Sequence, residues 1–152
     1  MSQLKPGDKA PDFKAVDQDE KPISLADYKG KKLVLYFYPK DNTPGCTDEA
    51  CSLRDGYHDL IKAGYDVVGV SADTSKSHKG FITKHGLLFR LIADPDKKVI
   101  QAYGAWGEKK MYGKSYDGII RTSFIISQDG RIEKIIDKVK TKDHAKQILD
   151  NL

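Results

Sequence analysis

Residues Leu33 to Tyr38, Leu-Val-Leu-Tyr-Phe-Tyr, form an unbroken aliphatic and aromatic run. A run without polar alternation reads as a buried strand rather than a sheet edge with one wet face. Pro39 ends it, because proline has no N–H to give a ladder. Thr43-Pro44-Gly45 is a turn cluster. A helical pattern then opens, with Asp48 and Glu49 read as its first turn. Cys46 therefore falls where a buried strand passes through a loop into a helix N-terminus. Unpaired N–H groups and the positive end of the helix dipole favour thiolate over thiol there. Cys51 follows five residues later, and these are the chain's two cysteines.

The 152 residues show no composition break, so one domain spanning 1–152 is expected. With 39% apolar and 32% charged residues, the composition is that of a globular rather than a disordered chain. The formal net charge of +4 is modest and lysines alternate with acids, so no nucleic-acid surface is expected. Met1 to Asp8 holds no apolar stretch, so no signal peptide is read there. No apolar run approaches the roughly 18 residues of a membrane span. A cytoplasmic location is the default, and in that compartment a cysteine pair is more often catalytic, redox-active or metal-binding than a permanent staple.

Before the buried run, Phe13, Ala15, Ile23 and Leu25 flank the polar stretch 17–21, a hairpin pattern. Ser24 with Asp27 reads as a short capped turn ending at Gly30. From Thr47 to about Ala63, apolar Ala50, Leu53, Tyr57, Leu60 and Ile61 make one helical stripe closed by Gly64. Strands are expected at Asp66–Ser71, Leu88–Ala93, Ile119–Ser127 and Arg131–Val139. Helices are expected from about Asp73 to His85, around Val99–Tyr103, and from Asp143 to Leu152. Residues 105–118 read as a long loop with Trp106 as a packing residue. Asp129-Gly130 marks a tight hairpin. Strands joined through helices run parallel and the hairpin adds an antiparallel edge. The expected architecture is a thioredoxin-like three-layer α/β fold, a central mixed β-sheet flanked by helices.

Cys46 as a nucleophile calls for a cation nearby. Arg121 opens the apolar strand Arg121–Ile126 and so lies at a strand end, as Cys46 does. A buried cation there is costly unless it faces an anion. Thr43 lies three residues before Cys46, within reach of a thiolate or a bound substrate. Residues five apart in an intact α-helix have Cα atoms roughly 8–9 Å apart. A disulfide needs less than about 7 Å, so Cys46 and Cys51 pair only if the helix start unwinds. Glu49 reads as a residue compensating the helix dipole more than as a proton donor. His58, His78, His85 and His144 show no ligand spacing, and no metal is expected.

The pattern Pro39-x-x-x-Thr43-x-x-Cys46 resembles the active-site motif of the peroxiredoxins. The longer string YFYPKDNTPGCTDEACSLRD is similar to that of the bacterioferritin comigratory protein, or peroxiredoxin Q, branch. The likeness extends to Lys5–Phe13, Tyr103–Lys110 and Gly118–Phe124, nearly the whole chain. The resemblance implies a thiol peroxidase acting on hydrogen peroxide and organic hydroperoxides. Cys46 would be the peroxidatic cysteine and Cys51 the resolving one, joined in an intramolecular disulfide that thioredoxin reduces. Arg121 and Thr43 would hold the peroxide, and Pro39 would shield Cys46. The same resemblance implies no cofactor and a monomer.

Two other readings stay open. A thiol–disulfide oxidoreductase on the same fold normally carries Cys-x-x-Cys, and the four-residue gap argues against it. A redox sensor or holdase would have the cysteines report oxidation without turnover. Cys51 as a plain helix-face residue is a further alternative.

Overall fold

The structure, a computed structural model, describes residues 4–111 and 113–151. In chain order the strands are β1 (Lys14–Val16), β2 (Pro22–Ser24), β3 (Lys32–Phe37), β4 (Tyr65–Ser71), β5 (Arg90–Ala93), β6 (Trp106–Met111), β7 (Lys114–Ile119), β8 (Thr122–Ile126) and β9 (Ile132–Ile136). The α-helices are α1 (Pro44–Asp55), α2 (Tyr57–Lys62), α3 (Ser75–His85), α4 (Lys98–Ala102) and α5 (His144–Leu149). Seven strands form one mixed sheet in the order β2-β1-β5-β4-β3-β8-β9, and β6 and β7 pair apart from it.

β3 runs parallel to β4 and antiparallel to β8, with no free side. Its residues alternate between two cores. Leu33, Leu35 and Phe37 enter the core shared with Val68, Ile92, Ile100 and Phe124. Val34 and Tyr36, with Tyr38 just past the strand, enter the core under α1, α2, α3 and α5, with Leu53, Leu60, Phe81 and Ile148. All six side chains from Leu33 to Tyr38 are fully buried. At about 1.5–3 kcal/mol each, this one run contributes on the order of 10 kcal/mol of burial. That anchors the segment which delivers Cys46.

Four sequence expectations need correction. The stripe expected as one helix from Thr47 to Ala63 starts earlier, at Pro44, and is split at Gly56. Pro44 is accommodated because the first helical turn has no N–H partner to lose. A Cβ on Gly56 would stand 2.4 Å from the Ala145 Cβ, so the break is where α5 closes on α1. The loop expected over 105–118 is the antiparallel hairpin β6–β7, paired from Trp106↔Ile119 to Met111↔Lys114. Most β7 side chains are exposed, so the hairpin carries little apolar alternation to read. The single strand expected from Ile119 to Ser127 is interrupted at Ile120–Arg121, between β7 and β8. The closing helix is shorter than expected, a 3-10 turn at Thr141–Asp143 and then α5, and Leu152 lies outside the described residues. The first hairpin, its capped turn ahead of Gly30, and α3 with Thr74 and Gly86 as caps form as expected. Among the described residues, no helix is long and apolar enough to cross a membrane.

Candidate active site

β3 and β4 end side by side, and the chain leaving β3 turns across that end before α1. A buried polar cluster pins the turn. The Tyr38 hydroxyl donates to Asp41 Oδ1 at 2.6 Å, and the Ser77 hydroxyl to Asp41 Oδ2 at 2.8 Å. His78 places Nδ1 2.7 Å from Asp41 Oδ2 and Nε2 2.9 Å from the Ile92 carbonyl. The Asp41 N–H donates to Asp73, which also accepts from Ser71. Asn42 then takes φ +63°, and Thr43 caps α1 with extended backbone. Pro39 is half-buried at the mouth of this turn. The Thr43 hydroxyl donates to the Lys40 carbonyl at 2.8 Å, which closes the loop and fixes the side chain.

Cys46 is the third residue of α1 and 1% exposed. Arg121 Nη2 donates to its Sγ at 3.3 Å. Arg121 reaches it from the β7–β8 interruption, where the ladder breaks and its side chain turns under α1. A Cβ on Gly45 would stand 3.2 Å from Arg121 Nη2, so a glycine there keeps the guanidinium's approach open. The other arm of the fork, Nη1, donates to Glu49 Oε1 at 2.6 Å. One guanidinium thus bridges a sulfur and a carboxylate, a use of the planar fork that an ammonium cannot copy. The Lys109 ammonium donates to the Ile119 carbonyl at 2.9 Å. Burial, then Arg121's charge, pushes Lys109 below the usual lysine range.

Glu49 is not the first-turn dipole partner expected from the sequence, because α1 starts at Pro44 and its first turn holds no acid. Its carboxyl is fully buried. Burial raises it to about 7, against the pull of Arg121. His144, at the start of α5, is equally buried, with Nε2 3.6 Å from Glu49 Oε2. Its Nε2 also lies 2.7 Å from the Ser123 hydroxyl, and its Nδ1 2.9 Å from Gln147 Oε1. In the sequence, Asp41 and Ser123 carried no role, and His78 and His144 stood only as histidines without ligand spacing. The one available signal was polar residues placed inside or beside apolar stripes, as Ser123 is in β8.

Cys51 is partly exposed on α1, and both thiols are free. Its Sγ sits 3.9 Å from His85 Nδ1, at the end of α3. Arg54 donates to the His85 carbonyl at 2.7 Å, and the Ala145 N–H to the Ser52 hydroxyl at 3.2 Å. Cys46 and Cys51 share one unbroken helix, so their sulfurs join only if it unwinds. Trp106 is partly buried against the core, with the Lys97 ammonium 5.3 Å from its ring centroid. Asp41, Asp73 and His78 bring three potential ligand atoms within 4.8 Å of one another. Asp41, His78 and Asp73 Oδ2 are engaged with protein partners.

The arrangement presents a buried sulfur at a helix N-terminus, a fixed cation against it, and a raised carboxyl behind. Such a site suits nucleophilic attack by a thiolate with charge stabilisation from one side. The AhpC/TSA family profile matches residues 6–135. A relative from Haemophilus influenzae, described as putative peroxiredoxin bcp, is 48% identical over all of this chain and 98% of its own. Peroxiredoxin Bcp of Escherichia coli is 47% identical over 99% of this chain and 96% of its own. A solved structure of a cysteine-to-serine mutant of Xylella fastidiosa PrxQ superposes with a TM-score of 0.92 at 34% identity, covering 99% of this chain and 96% of that one. A Xanthomonas campestris bacterioferritin comigratory protein, described in terms of alkyl peroxide reduction, superposes at 0.85 with 37% identity over 91% of this chain and 88% of that one. The chain has the thioredoxin-like fold of these neighbours and belongs to the AhpC/TSA family, in the Bcp and peroxiredoxin Q group of peroxiredoxins.

Proposed function

We propose that Cys46 is the peroxidatic cysteine of this peroxidase and that Cys51 resolves it within the same chain. The Cys46 thiolate attacks the terminal oxygen of ROOH. The O–O bond breaks, the sulfur is oxidised to Cys46–SOH, and RO⁻ leaves as ROH after taking a proton. The Cys51 thiol then displaces the hydroxyl, a disulfide forms and water departs. A dithiol protein of the thioredoxin kind returns both sulfurs to thiols by exchange. Arg121 stabilises the thiolate and the charge that develops on the leaving oxygen. Thr43 and Pro39 shape the mouth through which peroxide enters. Hydrogen peroxide and organic hydroperoxides are the substrates, the catalyst is a monomer, and it works in the cytoplasm without a cofactor.

The observation that carries this reading is the 3.3 Å contact from Arg121 to the buried Cys46 sulfur at a helix start. The test is mass spectrometry of reduced protein after one equivalent of hydrogen peroxide, with remaining thiols then blocked. Loss of two hydrogens, mapped to a Cys46–Cys51 link, is expected. A sulfenic or sulfinic adduct on Cys46 beside a blocked Cys51 would keep the peroxidase and remove Cys51 from resolution. Two unreacted, blocked thiols would end the assignment of both.

A further inference from the structure

Hydrogen-bond bookkeeping around His144 leaves an imbalance. Gln147 Oε1 accepts from the Lys140 N–H at 2.9 Å, and Gln147 Nε2 donates to the Lys138 carbonyl at 2.9 Å. That fixes the amide's orientation, so His144 Nδ1, 2.9 Å from Oε1, carries a proton. In the neutral ring Nε2 is then an acceptor with a single lone pair, which the Ser123 hydroxyl, 2.7 Å away, fills unless another proton reaches it. Glu49 Oε2 faces the same Nε2 at 3.6 Å, fully buried and with no hydrogen-bond partner among the described residues. Two acceptors facing each other away from water repel, and an orphaned buried carboxylate oxygen is costly. One proton between them removes both penalties.

We propose that Glu49 and His144 hold one proton between Oε2 and Nε2, which makes His144 a positioning residue that sets how much of Arg121's charge reaches the Cys46 sulfur. With the proton on Glu49, the carboxyl is neutral and the guanidinium serves Cys46 alone. With the proton gone, Arg121 is shared between two anions. The charged and titratable groups around the pair are few. α1 offers Cys46, the β7–β8 passage Arg121, and β3 the Tyr36 phenol, which burial and the charge of Glu49 push far up. Lys109 on β6 acts only through Arg121. Burial, with Arg121, lowers His144 below the ordinary histidine value, while burial raises Glu49 to about 7, so the proton belongs to the carboxyl side.

The proposal builds on Cys46 as the attacking thiolate, so its test avoids peroxide. Iodoacetamide alkylation of Cys46 is followed from pH 5 to 9 in the Cys51→Ser background. The profile is expected to carry a step near pH 7, where Glu49 titrates. His144→Gln offers an N–H to Oε2, favours the carboxylate, and moves that step down. His144→Phe removes both the acceptor that the Oε2 proton meets and the repulsion a carboxylate feels, and moves the step down as well. Each shift is on the order of half a pH unit or more. Glu49→Gln removes the step. A packing role for His144 would leave the step where it is. A step that stays in place, moves up in either variant, or survives Glu49→Gln overturns the proposal. Should the His144 variants not fold, nitrogen NMR on the wild-type protein decides. The His144 Nε2 resonance should move with the step near pH 7 while Nδ1 stays protonated, and a flat Nε2 resonance from pH 6 to 8 overturns the proposal.

Discussion

Two buried histidines belong to the polar clusters on either side of the helix start that holds Cys46, and they are built on opposite logic. His78 faces oxygen acceptors with both ring nitrogens, Asp41 on one side and the Ile92 carbonyl on the other. Both Asp41 carboxylate oxygens and both His78 ring nitrogens have partners, and the cluster's effect is to lock the turn 39–43 to β4 and α3. His144 instead meets an acceptor with an acceptor, and Glu49 Oε2 is left without a partner. A closed network holds a shape, whereas an open one leaves a proton free to come and go. The first cluster meets the Cys46 segment at Asp41, ahead of the helix start, and the second meets it at Glu49, one helical turn behind Cys46.

The comparison breaks most sharply at the sulfur itself. Cys46→Ser should abolish peroxide turnover, a loss of three orders of magnitude or more by roughly the scale of removing a nucleophile. Turnover at the wild-type rate in a coupled assay would remove the centre that both clusters flank. Arg121→Lys comes next. It keeps the charge but loses the fork that joins Cys46 to Glu49, and peroxide reduction should fall roughly 100-fold.

The contrast between the clusters is sharpened by Asp41→Ala. Removing one partner of a buried pair should cost about 3–5 kcal/mol of stability in denaturant melts. A loss under about 1 kcal/mol would show that the first cluster is not a lock. Glu49→Gln should behave in the reverse sense. Glu49's folded pKa lies near 7, above its unfolded value of 4.5. The folded state then binds more protons between those values, so stability is greatest below 4.5 and is lost as pH rises toward 7. The loss is about 3 kcal/mol on that shift. The variant should therefore gain stability over wild type at pH 8 and not at pH 4. Equal effects at both pH values would show that the carboxyl pays no burial penalty. Smallest is Gly56→Ala, expected to cost about 1–3 kcal/mol by crowding Ala145, with the peroxidase rate little changed.

How much of this was legible in the sequence follows from what kind of residue carries each feature. β3, β4 and α3 announced themselves through apolar runs and caps, because burial on both faces and a Thr74-to-Gly86 frame leave local marks. Cys46 and Thr43 stood out through the motif and Arg121 through its place at a strand end, and the structure brings Cys46 and Arg121 into contact while it sets the Thr43 hydroxyl on a backbone carbonyl. The β6–β7 hairpin left little mark because most of β7 is exposed and the pair is held by its own ladder. The Glu49–His144 pair could not be read because its members lie 95 positions apart (49 against 144) and meet only when α5 closes over Gly56. Charge placement across such distances has no periodicity to betray it.

Gly56 carries one more consequence. Helix formation is cooperative, and its melting spreads along the chain until something interrupts it. Here the interruption stands one residue past Asp55, so the stretch bearing both cysteines is a cooperative unit of 12 residues, closed at one end by Thr43 and at the other by Gly56. α2 beyond it keeps its own hold on the sheet through Leu60 and the Tyr57 hydroxyl on Asp66. The glycine works as a firebreak: when α1 melts, as the proposed disulfide requires, the melting spends itself within α1, and the rest of the molecule remains a template on which the helix can reform.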